Sequence, residues 1–140
     1  MITKTTVLLI TLTVCLTTFA GEKTPPTLKV IMQGLEKSMG MLNKGIFYDD
    51  FNMIEKSALA IAFHPKPKQQ LPIVVKALGK KIGEFKLYDI KVHDAANEIA
   101  KLAKQKNFNG ILEKHQVIIN NCIACHQQFK SEISKVLSIK

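Results

Sequence analysis

The sequence predicts an all-α protein, an antiparallel up-and-down four-helix bundle. Three observations carry that expectation. Apolar residues recur at steps of three and four in four separate stretches, the signature of helices with one buried face. The connections between these stretches are mostly short, which favours antiparallel neighbours. The apolar fraction of 46% in 140 residues suffices for one core, and the length suggests one domain.

The elements follow in order. Residues 1–20 read as a secretory signal: Lys4 supplies positive charge, "VLLITLTVCLTTFA" the apolar stretch, and Thr18-Phe19-Ala20 the small residues before a cut. The stretch is short for a membrane anchor. Cys15 raises the alternative of a lipoprotein, but "LTVC" puts valine where a small residue is expected. Cleavage after Ala20 leaves 21–140 as the mature domain, destined for the periplasm, with no membrane anchor. Both remaining cysteines, Cys122 and Cys125, then lie in one motif.

Pro25 and Pro26 suit a first helical turn, with Thr24 as the cap. Leu28, Ile31, Met32, Leu35, Met39, Leu42 and Ile46 predict a first helix over about 26–47. Asp49 and Asp50 punctuate and cap a second, with Phe51, Ile54, Ala58 and Ile61 on one side. Its end is set by "HPKPKQQLP", whose three prolines forbid a continuous helix. "IVVKALGKKIG" is ambiguous between strand and helix; lacking a partner strand, it reads as a short helix or turn folded over the bundle. Phe85, Tyr88, Val92, Ala95, Ile99 and Leu102 predict a third long helix, "QKNFNG" breaks it, and a fourth runs from about 108 to 137.

Charge narrows the function classes. All 20 basic residues are lysines, against 11 acids, and they are scattered. Without arginine the chain lacks the planar fork that reads guanine edges or grips phosphate, so nucleic-acid binding is not expected. A basic surface instead suits an acidic protein partner.

The chemistry concentrates in "NNCIACHQQF", residues 120–129. A redox C-x-x-C usually sits where a strand meets a helix, and no strand–helix alternation occurs here. A structural zinc site needs two further ligands at recognisable spacing, whereas His64, His93 and His115 are far apart in sequence. C-x-x-C-H is the attachment pattern of a c-type haem. On one helix, Cys122 and Cys125 share a face, each able to form a thioether to a haem vinyl group. His126 can turn its imidazole to the iron from the same side. One covalent haem c, on the C-terminal helix, is therefore expected, and an exported chain fits it.

At these residues the chain resembles the class II c-type cytochromes, which include cytochrome c′ and the cytochrome c-556 group. Members are secreted four-helix bundles with C-x-x-C-H on the last helix, as "CIACH" stands here. "VIMQGLEKSMG" is similar to their first helix and "EFKLYDIKVHDAANEIAKLA" to their third. Class I cytochromes carry a ligand methionine after the motif; here all five methionines precede Cys122. The chain departs from the family at Leu28, where members often carry an arginine near a haem propionate; Lys29 is the adjacent charge.

Met32 is the expected distal ligand. It is expected on the inward seam of the first helix between Leu28 and Leu35, early enough to face the later part of the antiparallel last helix. Aligning "SMG" at 38–40 implies the same position by resemblance, where gas-binding members carry an apolar residue. The resemblance thus implies a soluble periplasmic carrier of single electrons, not an enzyme. The alternative is a gas-binding protein like cytochrome c′, with five-coordinate iron that takes nitric oxide or carbon monoxide. A peroxidase has less to support it, since no distal acid–base pair is visible. Homodimerisation through helix faces is compatible with such a bundle. His115 and His93 are expected to be structural, and His64 to cap the second helix. Phe51, Phe63, Phe85 and Phe129 are expected in the core.

Overall fold

The computed structural model describes residues 25–138; the expected signal segment, with Cys15 and Ala20, and Thr24 lie outside the described residues. The described chain is helical, without a strand. Its elements are α1 (Leu28–Phe47), α2 (Phe51–Ala62), α3 (Leu71–Leu78), a 3-10 turn (Gly79–Lys81), α4 (Ile82–Lys104) and α5 (Phe108–Ser138). Four of them are the expected long helices. The ambiguous apolar run forms α3.

Each start has a local cause. Thr27, not Thr24, caps α1, its Oγ1 accepting from Val30 N at 3.3 Å, so the helix begins two residues later than expected. Leu28 N donates to Gln70 Oε1 at 2.6 Å, tying the start of α1 to the segment before α3. Asp50 caps α2 through Oδ1, which accepts from Met53 N at 2.9 Å. Of the three prolines after α2, Pro65 and Pro67 stay in the loop while Pro72 opens α3, where a missing N–H costs nothing. Gly79, at φ +50°, ends α3 in the left-handed region that glycine enters freely. Asn107 Oδ1 accepts from Gly110 N at 3.0 Å and caps α5.

Packing runs α1 on α2, α2 on α4 and α4 on α5, with α3 laid against α5. Small buried residues on α4 (Ala95, Ala96, Ala100 and Ala103) let its neighbours approach closely. The larger core centres on Leu42, Ile54, Ile61, Ile99, Ile111 and Ile118. A second core joins Val74 and Leu78 of α3 to Phe129 and Ile133 of α5. Phe129 is buried as expected, edge-on to Phe85 at 5.7 Å and to Tyr88 at 6.3 Å. Phe63 is not in the core. It is the residue after α2 and stands 71% exposed, because the helical period stops before it.

The α1–α2 corner is a close backbone approach. A Cβ on Gly45 would stand 2.9 Å from Ile54 Cγ1 and 3.0 Å from Ile54 N. Ile54 is fully buried and its backbone starts α2, so neither atom can retreat easily. Gly45→Ala should therefore destabilise the protein by about 1–3 kcal/mol, read as a lower thermal midpoint. An unchanged midpoint would mean that the corner is looser than described.

Candidate functional site

Helix α5 runs unbroken through "CIACH", because nothing between Phe108 and Ser138 interrupts its 31 residues. The motif straddles the two cores. Cys122 packs against the larger cluster and Cys125 against the smaller one, each half-buried, and neither thiol is in a disulfide. His126, next along the helix, is exposed. Around the motif, Tyr88 donates to Gln128 Oε1 at 3.2 Å and Gln128 Nε2 to Glu84 Oε2 at 2.7 Å. These bonds fix α5 against α4 on the flank away from His126.

Burial raises both thiols. Cys125 is pushed up to about 11, chiefly by burial, with the neighbouring Cys122 and the Asp89 charge adding to it. Redox-active and metal-binding cysteines need the thiolate and sit where its formation is favoured. These two do not. That disfavours a thioredoxin-type exchange site, and a thiolate zinc site would need further ligands beside the two sulfurs. The histidines agree: among the described residues, those grouped at metal-ligand distance are His64 and His93 with Asp89, and no cysteine joins them.

Met32 is where the sequence expectation needs correcting. It does not point into the core: Ile31 takes the buried position at 3% exposure, while Met32 stands at the rim, 38% exposed. The reason is that α1 leans on α2, through Ile31, Leu35 and Leu42, and Met32 lies a quarter-turn away from that side. It faces instead the direction of Asn43, whose Oδ1 accepts from His115 Nε2 of α5 at 2.6 Å. Burial lowers the His115 pKa, keeping a neutral ring that donates through Nε2. His115 is thus structural, as expected.

His93 is structural as expected, and it also takes the cap expected of His64. His93, not His64, bonds the end of α2, with its Nδ1 on Ala62 O. His64 Nδ1 donates to Pro65 O at 2.9 Å, and both imidazoles approach Asp89. Hydrogen bonding to Asp89 holds the His64 pKa up despite burial, and the same bond holds the Asp89 pKa down. Asp89 and His93 are four apart on α4, a spacing visible in the sequence. His64, on another segment, offered no signal.

No protein-family model, curated protein or solved structure matches this chain. One test concerns the thiols directly. With its pKa near 11, about a thousandth of Cys125 is thiolate at pH 8. In haem-free chain, alkylation of Cys125 at pH 8 should be at least about tenfold slower than that of free cysteine, accelerating as pH rises through 10. Rapid alkylation at pH 8 would point back to a redox dithiol.

Proposed function

We propose that the protein is a monohaem c-type cytochrome that carries single electrons. Cys122 and Cys125 bind the haem covalently, His126 is the proximal ligand and Met32 the distal one. The observation that carries this reading is the register between α1 and α5. The Asn43–His115 hydrogen bond ties them at one level. Nearer the start of α1, Leu28 packs against the smaller core, to which Phe129 and Ile133, nearer the end of α5, belong along with Val74 and Leu78 of α3. These contacts support opposite directions for the two helices, as an up-and-down bundle requires.

Met32 lies eleven residues before Asn43, and His126 lies eleven residues after His115. Eleven residues are three helical turns to within about 20°, and about 16 Å of rise. Moving that far along both helices from the hydrogen bond keeps the level and the facing sides. That register would bring Met32 and His126 to one level on facing sides. A thioether and an imidazole facing across two helices suit the two axial positions of a haem.

The remaining residues fit the group. Each half-buried thiol can add across a vinyl double bond, sulfur to one carbon and proton to the other, with no oxidant consumed. Phe129, a turn beyond Cys125, is buried beside it in the smaller core. Bound haem supplies reversible one-electron iron chemistry; the helices supply anchorage, axial ligands and exclusion of water. A methionine ligand raises the potential, which suits a carrier. No helix among the described residues is long and apolar enough to cross a membrane. Export by the N-terminal segment to the periplasm and an acidic redox partner for the lysine surface complete the proposal.

A second reading is favoured by one observation, the rim position of Met32. If its sulfur does not reach the iron, the site is five-coordinate and takes nitric oxide or carbon monoxide, as cytochrome c′ does.

Two measurements test these readings. The mature chain, beginning near Gly21, should carry the mass of one haem; free thiols on both Cys122 and Cys125 in a cytochrome-maturing host would refute the attachment. The wild-type spectrum should be low-spin with little carbon monoxide binding, and Met32→Leu should turn it high-spin and open it to carbon monoxide. An unchanged low-spin spectrum in that variant removes Met32 from the iron. A wild type that is already high-spin and binds the gas selects the second reading.

A further inference from the structure

The loop after α2 and the middle of α4 bring two imidazoles and a carboxylate together: His64, His93 and Asp89. Their candidate ligand atoms all lie within 4.8 Å of one another. His64 Nε2 is 3.4 Å from Asp89 Oδ1, and His93 Nε2 is 3.5 Å from Asp89 Oδ2. The ring centroids are 4.6 Å apart. The His64 side chain is only 11% exposed, while Asp89 remains half open to solvent.

The hydrogen bonds on the far side of each ring decide what the cluster wants. His64 Nδ1 meets Pro65 O, and His93 Nδ1 meets Ala62 O. A carbonyl oxygen only accepts, so both Nδ1 atoms carry protons. In the neutral rings each Nε2 is then a bare lone pair, turned towards a carboxylate that also only accepts. With both rings neutral, three acceptors would converge with nothing between them to share, which is unfavourable and is why the His64 pKa is held up beside Asp89. A proton on one imidazole relieves one contact, whereas a cation among the three relieves all of them.

The spacing suits a transition metal. Tetrahedral ligands at the 2.0–2.1 Å bonds of zinc stand about 3.3 Å apart, close to both observed nitrogen–oxygen separations. An Nδ1–H held by a backbone carbonyl is also how metal-bound histidines are oriented. Two imidazoles and one carboxylate favour zinc, copper, nickel or cobalt over calcium or magnesium, which prefer oxygen alone.

We propose that His64, His93 and Asp89 bind one divalent first-row transition ion, with zinc as the reference case. Three protein ligands leave a fourth position for water on the open side of Asp89. Binding clips the proline-containing loop to α4. This site shares no residue with the haem ligands, and the inference stands whether or not the chain carries haem.

The test is calorimetric titration of zinc chloride into the chelator-treated mature protein. One zinc per chain should bind with a dissociation constant in the micromolar range or tighter. Asp89→Asn and His93→Ala should each weaken binding at least about tenfold, and the His64→Ala/His93→Ala double variant should abolish it. Circular dichroism of each variant checks helix content. Asp89→Asn, at a half-exposed position, serves as the ligand-deletion test if a histidine variant loses structure. Cys122→Ser/Cys125→Ser should bind zinc as the wild type does. The proposal is overturned by no saturable binding at millimolar zinc, by undiminished binding in folded Asp89→Asn and the double variant, or by loss on the cysteine substitutions alone.

Discussion

The hydrogen bond from His115 to Asn43 sets the relation on which the proposed site depends. Helices α1 and α2, α2 and α4, and α4 and α5 are fastened by extensive apolar packing. α1 and α5 are instead held by this polar contact at one end and by Leu28 against the smaller core at the other. These two ties are what the proposed register of α1 against α5 rests on. The span between them contains Met32 and Met39 on one helix and Cys122, Cys125 and His126 on the other.

The division of the core has a related consequence. Cys122 belongs to the larger cluster and Cys125 to the smaller. The two sulfurs proposed to anchor the haem are thereby seated on separately packed ground, while His126 is left exposed beside them. Bonds through Glu84, Tyr88 and Gln128 keep α5 from rolling on α4. An axial ligand gains from a backbone that cannot roll, since small rotations of a helix move a side-chain tip by ångströms.

The helices were legible because periodicity is a property of each segment alone. Asp50 capping α2 and the helical course of 82–104 and 108–138 needed nothing beyond local pattern. The motif was legible for the same reason. Met32 was harder to orient: Ile31 and Met32 are adjacent, both apolar, and both fit a 3-4 spacing. Which of them is buried depends on α1 leaning towards α2, a tertiary fact. Phe63 was misjudged because one residue past a helix end the period no longer applies. The His64–Asp89–His93 cluster joins a loop to a helix 25 residues away, and no spacing rule spans that distance.

The central claim is that one iron lies between an imidazole on α5 and a thioether on α1. Iron K-edge X-ray absorption of the purified mature protein reads that coordination directly. The account predicts six-coordinate iron with five nitrogen neighbours and one sulfur neighbour in both oxidation states, the sulfur disappearing in Met32→Leu. Iron surrounded by nitrogen alone, or a preparation without iron from a host that matures c-type cytochromes, would contradict it.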